Sequence, residues 1–184
     1  MAFQFHDLVD VTRARMKQEI QRDASGGSLY LSPRLTDRGR IDWPGLLLEA
    51  AGRGDEETLA EALRGTGRIK LIEVRRSRSR PGRVHQVRVP VTAAATLAED
   101  QFNRFYIRAL CLRALQGGAT EVEVYRAKDV EEPRAESLRM LGRRLPAAAL
   151  LEDLRLHAAD EDLSLKVPGG PNSGLSVRLV AAVA

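Results

Sequence analysis

The chain has 184 residues, of which 43% are hydrophobic and only 4% aromatic; this suits one domain with a core of mainly Leu, Val and Ala. Net charge is only +4, yet four of the 29 basic residues are lysines and the rest are arginines. No apolar run approaches the roughly 18 residues of a membrane span, and the single cysteine, Cys111, excludes an internal disulfide framework or a site built from several thiols.

The opening residues, Met1 to Asp7, lack a charged-then-apolar leader pattern. A cytoplasmic protein without a membrane partner is therefore expected. The arginine excess has two readings: codon bias in a GC-rich genome, or recognition of phosphate and carboxylate by planar guanidinium groups. The total does not separate them. The distribution along the chain does.

Residues 5–22 carry Leu8, Val9, Val11, Met16 and Ile20 at three- and four-residue steps between charges, which predicts a helix ended by Ser25-Gly26-Gly27. Residues 28–32 read as a short strand, and 35–40 as a basic loop. A second helix is predicted from Asp42 or Trp43, with Pro44 in its first turn, to Gly52. Asp55 caps a third, on which Leu59 and Leu63 share a side. This helix pair resembles a DNA-reading helix-turn-helix in outline only. Asp55, Glu56, Glu57 and Glu61 on its second member would repel phosphate, so packing is expected instead.

Ile69 to Val74 is rich in β-branched residues, and Val84 to Val89 alternates strictly. Pro81-Gly82 in the connection signals a turn, so the two runs predict a β-hairpin. Val84, Gln86 and Arg88 share one face of the second strand, and His85, Val87 and Val89 the other. Thr96 and Glu99 have the spacing of a capping box and are expected to open the longest helix, which runs to Gly117-Gly118. A strand at 121–125, helices at 135–141 and 146–157, a Gly/Pro-rich loop at 167–174 and a strand at 175–180 complete the chain. The strand after the long helix is expected to lie parallel to the one before it, through a right-handed crossover.

The hairpin is the loudest feature. Arg75, Arg76, Arg78, Arg80 and Arg83 crowd its tip, Arg88 follows on the return strand, and no Asp or Glu occurs from Val74 to Ala98. Like charges repel unless solvent or an anion compensates. A basic β-ribbon suits a nucleic-acid backbone or groove, duplex DNA first; no aromatic residues interleave to stack single-stranded bases. The competing readings are a solvated loop tip that blocks edge pairing and docking on an acidic protein or a second copy.

A second pattern overlaps the first. Glu73 ends one strand, Gln86-Val87-Arg88 lies on the next, and a long helix follows. This resembles the PD-(D/E)XK nuclease layout over about sixteen residues, with Glu73 where the family has Asp and Arg88 where it has Lys. The resemblance implies a catalytic set of Glu73, Gln86 and Arg88, with Mg²⁺ as the only cofactor to be expected and only in that case. Arginine does not readily lose a proton, so Arg88 would stabilise charge and would not act as a base.

The third feature is the loop with Gly169, Gly170, Asn172, Ser173 and Gly174, whose backbone N–H groups suit an anion; a tight connection needing glycine dihedrals is the plainer reading. Tyr125-Arg126-Ala127-Lys128, at a strand end, has a position often used for ligand contacts. Arg104, Arg108 and Arg113 read as exposed helix residues, and Cys111 as a buried small hydrophobe. His6, His85 and His157 form no metal spacing.

The predicted fold is a single α/β or α+β domain. An N-terminal helical segment, 1–27, precedes a body at 28–184 with a central sheet of about five strands, the basic hairpin, and the long helix packed across the sheet. The expected function is nucleic-acid binding through the hairpin within a larger DNA-processing, mobile-element or phage-related assembly. A divergent nuclease or inactive relative, and an assembly protein gripping an acidic partner, are the alternatives.

Overall fold

The computed structural model describes residues 2–65, 67–76, 83–158, 163–170 and 173–180. Among these, six helices and five short strands form an α+β fold. The helices are α1 (Asp10–Gly26), α2 (Asp37–Arg53), α3 (Glu56–Arg64), α4 (Ala93–Gln116), α5 (Ala135–Met140) and α6 (Ala147–Leu156). The strands are β1 (Ile72–Arg76), β2 (Val84–Arg88), β3 (Glu121–Arg126), β4 (Arg144–Pro146) and β5 (Leu175–Leu179). No helix among the described residues is long and apolar enough to cross a membrane.

The expected five-stranded central sheet is not formed. β1 and β2 make a two-stranded ribbon of their own, and β4-β3-β5 make a second, three-stranded sheet. β2 and β3, the strands on either side of α4, lie in different sheets, and β3 pairs antiparallel with both its neighbours, so α4 is not a crossover between parallel strands. β4 has only three residues, two of them Arg144 and Pro146, a composition poor in strand formers. What holds it is the buried Leu145 and the turn at Gly142, whose N–H donates to Val124 O at 2.9 Å.

α4 is the axis of the molecule. Every residue from Gln101 to Cys111 is buried, because α1, α3, α6, β3 and β5 pack around it. A helix wrapped on all sides needs no polar face. It begins one turn earlier than the Thr96–Glu99 spacing predicts, at Ala93 after Thr92. Three consecutive alanines, 93–95, favour helix strongly, so Thr96 lies inside it and caps nothing.

α2 likewise starts earlier than expected, in the stretch read as a loop. Thr36 is its N-cap and accepts a hydrogen bond from the Gly39 N–H at 3.0 Å. Pro44 then sits inside the helix. The hydrogen bond that proline removes is offset by burial of Trp43, whose Nε1–H donates to Tyr30 O at 2.9 Å, and by ion pairs from Arg38 and Arg68 to Asp42, both 2.9 Å. Residues 28–32, read as a strand, are an irregular link. Their carbonyls and amides serve Trp43 and the end of α1, where the Ser28 N–H donates to Asp23 O.

α1 covers 10–26 where 5–22 was expected; it ends with Gly27 in the left-handed region at φ 71°. The residues ahead of it run extended beside β3: the Gln4 N–H donates to Ala127 O at 2.7 Å, and Phe5 packs on Tyr106 with centroids 4.5 Å apart.

One ion-pair cluster joins α1, α4 and α6. Arg108, 1% exposed, donates from Nε to Glu19 Oε2 at 2.8 Å and from Nη1 to Asp23 Oδ2 at 2.5 Å. Arg155 reaches Glu19 Oε1 at 2.6 Å. Burial pushes the Glu19 carboxyl up, but hydrogen bonds from Arg155 and Arg108 outweigh this and hold it below its ordinary 4.5. The expectation of exposed arginines at 104 and 108 is thus overturned. Arg104 is also 1% exposed, and its Nη1 donates to the carbonyls of Leu154 (3.2 Å) and His157 (2.6 Å) at the end of α6.

Removing Arg108 leaves two buried carboxylates short of a counter-charge. Arg108→Ala is expected to cost about 3–5 kcal/mol in denaturant titration. Folding favours the ionised form of Glu19, so its contribution is present above pH ~4.5 and fades as pH falls further. The wild-type melting temperature should drop below that pH, and that of the variant should drop less. A Cβ at Gly39 would lie 2.2 Å from Arg68 O. Gly39→Ala should therefore destabilise by about 1–3 kcal/mol in the same assay.

Candidate nucleic-acid interface

The ribbon grows out of the α2–α3 end of the body. Leu35 and Ile69 form an isolated bridge, the Lys70 N–H donates to Arg34 O at 2.9 Å, and the Val89 N–H donates to Leu71 O at 2.9 Å. Beyond that base β1 and β2 pack chiefly against each other. The register opposes Ile72 to Arg88, Glu73 to Val87, Val74 to Gln86, Arg75 to His85 and Arg76 to Val84.

Directly opposed residues share a face of the ribbon. One face therefore carries Glu73, Arg75, His85 and Val87, with Glu73 and Val87 half-buried toward the body. The other carries Ile72, Val74, Arg76, Val84, Gln86 and Arg88, all of them exposed. Ile72, Val74 and Val84 are 51%, 64% and 62% exposed, so an apolar stripe runs between Arg76 and Arg88. Those two arginines are four residues apart along the ribbon, about 13 Å at strand rise.

Glu73 anchors the ribbon. Arg34 grips it with two hydrogen bonds, Nε to Oε2 at 2.8 Å and Nη2 to Oε1 at 3.2 Å. Arg75 donates from Nε to Oε1 at 2.7 Å. The two guanidinium groups hold the Glu73 carboxyl down at about 2. By contrast, Arg76, Arg83 and Arg88 make no ion pair among the described residues. Arg78 and Arg80, with the Pro81-Gly82 turn, lie outside the described residues.

The nuclease-like constellation does not assemble on this ribbon. Glu73 is on the opposite face from Gln86 and Arg88, and both its oxygens are taken by arginines. A layout that shares one metal between an acid and its neighbouring strand needs them on one face. Among the described residues, no three His, Cys, Asp or Glu side chains are grouped to hold a metal ion. The donor set therefore does not fit Mg²⁺ as that resemblance requires.

The glycine-rich loop is bent by Gly169, Gly170 and Gly174, at φ 86°, 81° and 67°. Asn172 lies outside the described residues. Ser173 turns back on the loop, its hydroxyl donating to Pro168 O and its N–H to Gly170 O at 3.1 Å. Gly174 has a packing role. Its carbonyl accepts from Ala127 and Lys128 N–H groups at 2.8 and 3.2 Å, and a Cβ there would lie 2.1 Å from Lys128 O. Gly169 and Gly170 instead border an open cavity.

The other singled-out residues are occupied structurally. Tyr125 donates its hydroxyl to Gln4 O at 2.7 Å, Arg126 donates to Ser173 O at 2.9 Å, and Lys128 pairs with Glu99 at 2.6 Å. Arg113 donates to Thr12 Oγ1 at 2.8 Å. The Cys111 thiol is buried and pushed up to about 12, which leaves it unreactive. His6 packs against Tyr125 in a tilted ring pair with centroids 4.4 Å apart, and His157 lies 3.1 Å from Asp153.

Sequence reasoning misses Arg134, Arg139, Arg143 and Lys166, which line one cavity. They are spread along the chain from 134 to 166, and no local spacing announces them. Comparison with protein-family models, with curated proteins and with solved structures finds no match for this chain.

The Glu73–Arg34 pair sets the ribbon's attachment. Folding depresses the Glu73 pKa, so the anchor is complete above pH ~4.5 and is lost as pH falls toward about 2. Hydrogen exchange should show β1 and β2 amides losing protection over that range. Glu73→Gln should lose the same protection already at neutral pH, with α4 unaffected.

Proposed function

We propose that this protein binds nucleic acid, duplex DNA in the first place, through the outer face of the β1–β2 ribbon, as one component of a larger DNA-processing assembly. The observation that carries this reading is a set of three arginines, Arg76 and Arg88 on that face and Arg83 just ahead of β2, exposed and without an acidic partner among the described residues. Phosphate oxygens supply the missing counter-charge. A two-stranded ribbon fits a major groove about 12 Å wide, and the roughly 13 Å between Arg76 and Arg88 matches that width. Gln86, between them on the same face, is a side chain able to donate to and accept from base edges.

A second reading draws on the apolar stripe. Ile72, Val74 and Val84 on a ribbon with two open edges suit packing against a protein, including a second copy of this chain.

The test is a gel-shift salt series with duplex DNA, single-stranded DNA and RNA, comparing the wild type with Arg76, Arg83 and Arg88 changed to Ser. The wild type should favour duplex and weaken steeply with salt. The variant should bind more weakly, with a slope in log K against log salt shallower by about 0.9 for each phosphate it no longer neutralises. Equal binding by both proteins would overturn the proposal. A concentration-dependent larger species in sizing, abolished by Val74→Thr with Val84→Thr, would favour the assembly reading.

A further inference from the structure

A cavity of about 450 Å³ opens between α5, the turn into β4 and the 166–170 loop. That volume is in the range of small-molecule sites. Its floor is apolar, formed by Met140 and Leu175, 9% and 1% exposed. Arg134, Arg139, Arg143 and Lys166 line its walls, against one carboxylate among the described residues, Glu136. Arg139, Arg143 and Lys166 make no ion pair among the described residues.

The rim is held in place by buried contacts. The Asp153 carboxylate accepts the N–H groups of Ser164 and Leu165 at 3.1 and 2.8 Å, fixing the chain just before Lys166. Val167 is fully buried after it. Between these anchors Lys166 has φ 56°, the one positive φ at a non-glycine position among the described residues. A lysine gains nothing locally from that conformation, which costs energy and is characteristically retained at binding sites. Gly169 and Gly170 continue the rim with positive φ. A Cβ at Gly170 would lie 3.9 Å from Arg134 Nη1, an ordinary contact, so it is the φ of 81° and not crowding that calls for glycine there.

We propose that this cavity binds a phosphorylated small molecule with an apolar or planar body, of about nucleoside-phosphate size. The excess of cations matches a phosphate ester, which carries close to two negative charges, better than a single carboxylate. Arginine forks bind phosphate oxygens bidentately. The Met140–Leu175 floor would cover the body of the ligand and would gain nothing from a bare ion. This site is separate from the ribbon and does not depend on the nucleic-acid reading.

Calorimetric titration with ADP, glucose 6-phosphate, inorganic phosphate and adenosine tests it. At least one of the two phosphate esters should bind more tightly than inorganic phosphate, and adenosine should bind weakest. Arg139→Gln, Arg143→Gln and Lys166→Gln combined should weaken that ester at least about tenfold. Since these side chains are exposed, the melting temperature should stay put. Hydrogen exchange on the wild type provides a check independent of the variant: the ester should protect residues 134–143 and 164–170. The ribbon variant lacking Arg76, Arg83 and Arg88 should bind the ester normally. Absence of ester binding at millimolar concentration, equal binding by the triple variant, or protection on the ribbon alone would overturn the proposal.

Discussion

The buried guanidinium of Arg108 is the constraint around which the rest is arranged. A cation at 1% exposure is tolerable only with charged partners at hydrogen-bond distance. Glu19 and Asp23 from α1 supply them, and Arg155 from α6 shares Glu19. Three helices distant in sequence are thereby locked in one rotational setting. α4 can then be buried on every side, with Phe102, Phe105, Tyr106 and Leu110 meeting helices on some sides and β3 and β5 on others. The helix is the centre of the fold and the sheet is one of its coverings.

Two sets of basic residues stand out against that arrangement. Arg13, Arg34, Arg68, Arg104, Arg108 and Arg155 end on carbonyls or carboxylates, where they tie loops and helix ends together. Arg76, Arg83 and Arg88 on the ribbon, and Arg139, Arg143 and Lys166 at the cavity, have no acidic partner among the described residues. Chain-wide arginine content is therefore a poor guide to function here. What discriminates is whether a guanidinium already has its anion.

Local chemistry made much of this legible in the sequence. The β-branched run at Ile69–Val74 and the alternation at Val84–Val89 gave the ribbon, Asp55 gave the cap of α3, and β3 and β5 were read at 121–125 and 175–180, because each depends on neighbours a few residues away. The failures depended on distant contacts. Nothing within a turn of Arg108 foretells carboxylates 85 and 89 residues earlier. β4 depends on burial of Leu145 and on hydrogen bonds of Gly142 and Arg143 with Val124, far back in the chain. The face of Glu73 was also illegible: parity within one strand is readable, but its sharing with Val87, rather than Gln86 and Arg88, needs the register. The cavity at Lys166 and Arg139 joins segments that no periodicity relates.

The central claim is that a nucleic acid supplies the counter-charge missing from the ribbon's outer face. Hydrogen exchange of the protein with and without a short duplex DNA at low salt addresses it most directly. The account predicts protection concentrated in Ile72–Arg76 and Val84–Arg88, with α4 and the cavity at Lys166 unchanged. Protection confined to any other surface, or none under conditions where the duplex is bound, would contradict it.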